Sequence, residues 1–328
     1  MTSSTKHARK LMVQNGSLVD IFGQSFIIFE KYVKVFDLYF IATQLSPDEK
    51  VLHGASVWYQ YIDNNDDGIP DNKDVYDTLV KNKATMFMFL DEAEKTKLLS
   101  SFDGDEAGIK IPQDLQAEET RPGSIDSGVF DASLEECLHV LTTAYSKQYP
   151  DEFGDKPGSS IANAMDIARG GRFMKIPDSY PAGAWYTYRD ETCDYSCQIN
   201  EYLYWGLTSI LGAQIDRKKE LENEWKLTSR AEVETNDPAI FRLLTNSSYK
   251  FPTKLPTIAN YTMKFANTTE SPQSTPSSTK SNKSPQSTAS STKSSEKSGS
   301  GLYSCSYAMC FVSLIITNTV IYFNRLLQ

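Results

Sequence analysis

The side chains best suited to chemistry begin in a short acidic stretch, DNNDDGIPDNKD, at residues 63–74. Asp63, Asn65 and Asp67 place side-chain oxygens at alternate positions, and the glycine that follows permits a sharp turn. Asp71 and Asp74 add further carboxylates within a few residues. Carboxylates crowded in this way repel one another unless a cation neutralises them, and hard oxygen ligands are those that calcium prefers. The stretch therefore predicts a calcium site.

The spacing resembles the twelve-residue loop of EF-hand proteins, with ligands at positions 1, 3, 5, 7, 9 and 12 and glycine at position 6. The resemblance implies these ligands: the side chains of Asp63, Asn65, Asp67, Asp71 and Asp74, and the backbone carbonyl of Ile69. An aspartate stands where the EF-hand pattern has glutamate, and the DGIPD core is more similar to the loops of thrombospondin type 3 repeats and dockerins. We therefore expect a weak structural ion, with a Kd on the order of 0.1–1 mM. The alternative is a solvated acidic turn.

A second group of chemical side chains lies in DASLEECLHVLTTAY, residues 131–145. Ser133 followed three residues later by Glu136 predicts a capping box that starts a helix. Glu135 and His139 are four residues apart and so project from one face of that helix. An apolar helix predicted over residues 198–214 carries Glu201, which supplies a third metal-binding side chain.

The Glu-Glu-x-x-His pattern resembles the His-Glu-x-x-His helix of zincin metallopeptidases with its first histidine replaced. Asn200-Glu201 is similar to the second-helix Asn-Glu of the gluzincins. These resemblances imply that Glu135, His139 and Glu201 hold a divalent metal and that Glu136 is the catalytic base of a hydrolase. Two carboxylates and one imidazole select zinc weakly, so manganese, iron and calcium stay open. The alternative is a surface i,i+4 pair of Glu135 and His139.

The five cysteines are too few for a disulfide scaffold, because Cys305 and Cys310 lie in the C-terminal tail. Cys193 and Cys197 pair only if their turn departs from ideal helical geometry. Together with Cys137 and His139 they are an alternative zinc set, although no Cys-x-x-Cys spacing supports it.

Composition separates a body from a tail. The chain has 328 residues and a net charge of −9, which argues against a nucleic-acid partner. Residues 1–30 are poorly defined and residues 31–265 form the predicted globular body. Residues 266–301 are a Ser/Thr-rich segment with too few apolar residues to fold, which predicts a disordered stalk. Residues 302–328 contain an uncharged stretch, Tyr307 to Phe323, and predict a membrane partner through either a single span or the signal for a lipid anchor.

Two features indicate on which side of the membrane the body lies. Glycosylation sequons are typical of secreted proteins, and a weak calcium site would hold no ion at the low calcium concentration of the cytosol. The sequons begin at Asn15, Asn246, Asn260, Asn267 and Asn282. We expect the body on the extracellular side of the plasma membrane. The N-terminus reads poorly as a signal peptide, so a cytosolic tail-anchored protein is the alternative.

The hydrophobic patterns predict an α+β, mostly helical fold. Strands are expected at residues 33–42 and 83–90, and between them two helices flank the calcium loop. This strand, helix, loop, helix, strand unit precedes a helical region. Two function classes follow: a calcium-stabilised surface glycoprotein that binds a protein or glycan ligand, and a surface metal-dependent hydrolase.

Overall fold

The computed structural model describes residues 11–100, 102, 107–123 and 129–257. It has 11 helices, 48% helical content and one five-stranded mixed sheet, which confirms the α+β, mostly helical prediction. The predicted stalk and membrane anchor, and the sequons at Asn260, Asn267 and Asn282, lie outside the described residues. Among the described helices, none is both long and apolar enough to cross a membrane.

The sheet follows the chain order from one edge to the other. Its strands are β1 (Gln14–Asn15), β2 (Lys31–Val35), β3 (Leu38–Ala42), β4 (Thr85–Phe89) and β5 (Pro112–Gln116). The first three strands pair antiparallel, and β3, β4 and β5 pair in parallel. Strand β4 is buried along its whole length, as a central parallel strand requires.

The single strand predicted at residues 33–42 is wrong, because the chain there forms a hairpin. Val35 pairs with Leu38, so β2 and β3 are joined by a two-residue turn. Phe36 adopts a φ of 54°, the left-handed conformation that tight hairpins need at this position. The usual turn signal, Asn or Gly, is missing from Phe36-Asp37, and the apolar residues on either side read as one continuous strand.

Eleven α-helices accompany the sheet. They are α1 (Val19–Phe22), α2 (Asp48–Ile62), α3 (Lys73–Lys81), α4 (Glu92–Leu99), α5 (Ala132–Gln148), α6 (Pro150–Phe153), α7 (Ser160–Ala168), α8 (Tyr195–Leu211), α9 (Lys218–Leu221), α10 (Arg230–Asn236) and α11 (Pro238–Thr245). Short 3₁₀ helices occur at Gln24–Ile28, Ala117–Glu119 and Ile215–Arg217. Helices α2 and α3 lie between β3 and β4, so the order predicted around the calcium loop is confirmed.

The charged stretch after α8 forms short helical segments, Ile215–Arg217, Lys218–Leu221 and Arg230–Asn236, with non-helical chain between the last two. Helix α9 ends at Leu221, before Trp225, which is fully buried, forms an isolated β-bridge with Tyr186, and donates its indole N–H to the carbonyl of Leu227 at 2.7 Å. These tertiary contacts hold the chain around Trp225 in a non-helical conformation.

Helix α5 lies at the centre of the body. It packs against α2, α3, α8 and β5, and residues on every side of it are buried. The aromatic residues of α8 and the preceding segment, including Tyr186, Tyr202 and Tyr204, belong to the same core. Polar side chains on the inward faces of α5 and α8 are therefore held away from water.

Candidate metal centre

The start of α5 is fixed by Asp131 and not by the predicted Ser133–Glu136 capping box. Asp131 Oδ1 accepts the backbone N–H of Ser133 at 3.1 Å and its hydroxyl at 2.7 Å. The other carboxylate oxygen of Asp131 lies 2.7 Å from Nε2 of His53, and both residues are buried. His53 is therefore a hydrogen-bonded core residue, and Glu136 is free to point elsewhere.

Helices α5 and α8 bring the three predicted metal ligands together. One ligand atom each from Glu135, His139 and Glu201 lies within 4.8 Å of the other two, and all three residues are buried. Nε2 of His139 is 3.2 Å from Glu201 Oε1 and 3.8 Å from Glu135 Oε1. Two ligands ~2.0–2.2 Å from a tetrahedral ion lie ~3.3–3.6 Å apart, so small side-chain adjustments suffice to enclose one ion. The prediction that Glu135 and His139 form a solvated surface pair is wrong, because α5 is an interior helix.

Several polar atoms of this group have no hydrogen-bond partner. Nδ1 of His139 and Oε2 of Glu201 are buried and unpartnered, whereas Nε2 of His139 pairs with the Glu201 carboxylate. A buried polar atom without a partner destabilises the fold by on the order of 1–3 kcal/mol, so a cluster of such atoms favours a bound ligand that pairs with them. An ion bound between these side chains would use the orphaned atoms that face it, so the donor set fits a divalent metal.

The electrostatics of the cluster also fit a cation. Burial raises the pKa of Glu201, against the opposing effect of His139. Burial alone would lower the pKa of His139, but the charges of Glu201 and Glu136 and the hydrogen bonding of Glu135 and Glu201 raise it well above its ordinary value. The imidazole is thus surrounded by carboxylates that outnumber it, and a bound cation would neutralise part of their negative charge.

The predicted base, Glu136, lies next to the ligand Glu135 but points toward the sheet. Its Oε2 accepts a hydrogen bond of 2.5 Å from Nε2 of Gln113 on β5. Burial raises its pKa well above the ordinary value, the charge of His139 lowers it, and those of Glu135, Asp114 and Glu201 add to the rise. A carboxyl with a raised pKa beside a candidate metal site has the property required of a general base or acid at neutral pH.

Two half-buried carboxyls near the cluster were missed by the sequence analysis. Burial, then the charge of Glu135, raises the pKa of Glu119 to about 7. Burial, then the charges of Glu201 and Glu135, raises the pKa of Glu224 to about 8. Glu224 also accepts a 2.9 Å hydrogen bond from the indole of Trp205, one helical turn after Glu201. No local motif marks these two residues, since only the tertiary fold brings them near α5 and α8.

The calcium loop has the backbone shape that its sequence predicts. Asp66 and Gly68 have φ angles of 62° and 86°, so the chain turns sharply at the predicted glycine. Asp63 is buried and accepts hydrogen bonds from the backbone N–H groups of Asp67 and Gly68 and from the Tyr59 hydroxyl. The first ligand position is therefore already aimed into the turn.

The remaining predicted calcium ligands are less tightly gathered. Asp71 accepts the backbone N–H of Asn64 at 2.7 Å and the amide of Asn65 at 2.5 Å. Burial, then the charges of Asp63 and Asp67, raises the pKa of Asp71. Ile69 and Asp74 are exposed, and Asp74 lies in the first turn of α3. In the described part of the chain, the loop's aspartates do not form a group as tight as that of Glu135, His139 and Glu201.

The alternative zinc set of Cys137, His139, Cys193 and Cys197 is wrong. Cys193 and Cys197 form a disulfide with a Cα–Cα distance of 5.2 Å, at the point where the chain enters α8. Cys137 is a buried free thiol that donates to the carbonyl of Gly54 at 3.4 Å. The disulfide is accommodated because Cys193 precedes the helix, so the pair is not held to ideal helical geometry.

Of the predicted sequons, Asn15 and Asn246 fall within the described residues, and both side chains are exposed.

Comparison with protein-family models, with curated proteins and with solved structures finds no match for the chain.

Proposed function

We propose that the protein is a metal-dependent hydrolase whose divalent ion is held by Glu135, His139 and Glu201. The observation that carries the proposal is the convergence of these three buried side chains, with Nδ1 of His139 and Oε2 of Glu201 left without hydrogen-bond partners. Three protein ligands leave further coordination positions free, as catalytic centres require and closed structural centres do not.

The roles of the side chains follow from their places. Glu135 and His139 lie one turn apart on α5, and Glu201 closes the site from α8. A divalent ion in such a site supplies Lewis acidity toward a carbonyl and lowers the pKa of water. Glu136 adjoins the site from α5 and is positioned by Gln113, and in our proposal it takes the proton of the attacking water and delivers it to the leaving group.

The test separates metal binding from catalysis. Purified protein is expected to contain about one equivalent of zinc, manganese or iron by mass spectrometry and to hydrolyse members of a quenched fluorescent peptide library. Glu136→Gln should keep the metal and lose at least ~100-fold in rate, because general-base catalysis contributes on the order of 10²–10⁴-fold. Glu222→Gln, an exposed carboxylate on the surface, is the matched control and should change neither.

Each outcome decides a part of the proposal. Metal at full occupancy without hydrolysis would assign the centre a structural role. A hydrolysis rate that chelator leaves unchanged would show that the reaction does not require the metal. Loss of metal in Glu136→Gln would make that residue a ligand and not the base.

We also propose that the loop at residues 63–74 binds calcium as a structural ion. The left-handed turn at Gly68 and the inward orientation of Asp63 support this second role. A weak calcium site and the Cys193–Cys197 disulfide both suit an oxidising, calcium-rich compartment. They support our proposal of an extracellular glycoprotein attached to the membrane by its C-terminal tail, with the cytosolic tail-anchored form as the alternative. If glycosidase treatment of intact cells leaves the mass of the protein unchanged, the result would favour that alternative.

A further inference from the structure

The calcium loop forms one wall of a cleft of about 680 Å³, a size typical of small-molecule binding sites. The cleft is also lined by residues between Thr245, the last residue of α11, and Thr253, and by the end of α8, which we term its floor. The cleft is therefore bounded by elements that are far apart in sequence and that meet because the C-terminal segment folds back over the loop.

The floor of the cleft is apolar. Its lining includes Leu207, Ile210 and Leu211 of α8, Leu244 of α11, and Phe251. Ile69, at position 7 of the calcium loop, also lines the cleft, and its side chain is 66% exposed. This exposed isoleucine adds a second apolar surface to the lining of the cleft.

The rim of the cleft carries charges of both signs. Asp67 and Asp71 contribute from the loop, and Arg230 and Lys250 from the other walls. Within the described residues, neither Arg230 nor Lys250 forms an ion pair. The Arg230 guanidinium instead lies over the ring of Phe241, 5.0 Å from its centre. Two cations are thus available to a ligand.

Calcium would change the balance of these charges. Without the ion, the carboxylates of Asp67 and Asp71 offset the two cations and repel an anion entering the cleft. With calcium bound in the loop, the two positive charges of the ion offset half of the charge of the four aspartate ligands. The repulsion that Asp67 and Asp71 exert on an anion therefore falls, while Arg230 and Lys250 keep their positive charges. Anion binding in the cleft should therefore depend on calcium, and by linkage the anion should tighten calcium binding by the same factor.

We propose that this cleft binds a small carboxylate with an apolar body, and that calcium in the loop enables the binding. The apolar body packs on the floor formed by Leu207, Ile210 and Phe251, and the carboxylate pairs with Arg230 and Lys250. The proposal rests on the calcium part of the proposed function and is independent of the hydrolase site.

The test uses the whole chain and two probes that share one ring system. 2-Naphthoate carries the carboxylate, and 2-naphthamide is its neutral counterpart. Calorimetric titration should show 2-naphthoate binding in 1 mM calcium that weakens at least ~5-fold in chelator, whereas 2-naphthamide should bind more weakly and without regard to calcium. Arg230→Gln and Lys250→Gln should each weaken 2-naphthoate binding several-fold while calcium binding to the ligand-free protein persists.

Arg242→Gln is the matched control, since Arg242 is an exposed arginine on α11 outside the cleft lining. It should bind 2-naphthoate as the wild type does. Calcium titration in the absence of naphthoate tells the two failures apart. No calcium binding would overturn the structural-ion proposal. Calcium binding without any effect on 2-naphthoate, or equal losses in Arg230→Gln and Arg242→Gln, would overturn the cleft proposal alone.

Discussion

The side chain of Asn64 hydrogen-bonds to both the N–H and the carbonyl group of Lys254. Its Nδ2 donates to the Lys254 carbonyl at 2.9 Å, and its Oδ1 accepts the Lys254 N–H at 3.0 Å. The same Oδ1 accepts the N–H of Thr253 at 2.8 Å. Gln60 on α2 accepts the N–H of Thr257 at 2.8 Å, and Asn72, the N-cap of α3, donates to the carbonyl of Tyr249 at 2.7 Å. Three side chains, those of Asn64, Gln60 and Asn72, therefore attach residues 249–257 to the calcium loop and to the end of α2 by hydrogen bonds.

This fastening predicts that calcium protects the C-terminal segment from proteolysis. Calcium should slow tryptic cleavage after Lys250 and Lys254, because a more rigid loop keeps Asn64 in place. Asn64→Ala should speed this cleavage ~5-fold or more in calcium, since it removes several hydrogen bonds worth about 0.5–1.5 kcal/mol each. Mass spectrometry of timed digests measures the rates.

The control for that digest is Asn236→Ala, because Asn236 is exposed and its amide contacts only its own helix. Its digestion should match the wild type. If Asn64→Ala is cleaved no faster than Asn236→Ala, the three-point attachment does not govern access to the segment.

Calcium should also raise the melting temperature of the whole body. At 5 mM calcium and a Kd of about 0.5 mM, binding to the native state adds about 1.4 kcal/mol, which corresponds to about 3–5 °C for a body of this size. Asp67→Asn should lose most of this shift, because it removes one carboxylate ligand.

Asp77→Asn serves as the control for calcium stabilisation. Asp77 is an exposed acid just beyond the loop, paired with Lys73 on the surface of α3. It should keep the full shift, measured by differential scanning calorimetry. A wild-type protein that melts at the same temperature in calcium and in chelator would contradict the structural role of the ion.

The sequence was most informative where local spacing determines geometry. The left-handed turn at Gly68 and the shared face of Glu135 and His139 both follow from positions a few residues apart. The identity of Glu201 as the partner from α8 came from a resemblance to a second-helix motif, and the fold brings it within 3.2 Å of His139.

What the sequence could not supply depended on tertiary contacts. Glu136 looked like part of a cap, yet Asp131 caps α5 and Glu136 reaches Gln113 on β5. Glu224 lies beyond the end of α8 in sequence, and its hydrogen bond from Trp205 ties it to the helix that carries Glu201. Hydrophobic periodicity reports which face is buried and does not report which buried polar groups meet.

Replacing His139 tests the metal centre directly. His139→Ala should reduce bound transition metal from about one equivalent to less than ~0.1, because it leaves two carboxylates and no imidazole in the site. His53→Ala is the matched comparison, since His53 is equally buried but pairs with Asp131 away from the ligands. It should destabilise the fold by about 2–4 kcal/mol and retain metal under conditions where it stays folded. Equal metal loss in both variants would indicate that the centre responds to general unfolding.

The raised pKa of Glu224, about 8, predicts how stability depends on pH. The unfolded chain ionises this carboxyl near pH 4.3. Between that pH and about 8 the native state therefore binds more protons than the unfolded state, and its stability falls as pH rises through this window. Glu224→Gln removes the titrating group and should stabilise the metal-free protein at pH 9 by about 1–2 kcal/mol, after allowance for partial exposure, with little effect at pH 4. Urea unfolding in chelator at several pH values measures the difference.

Glu222→Gln, exposed and two residues away, should show no such trend. A Glu224→Gln curve parallel to the wild type at every pH would mean that Glu224 titrates normally, and the surplus negative charge around Glu135 and Glu201 would then be smaller than the geometry implies.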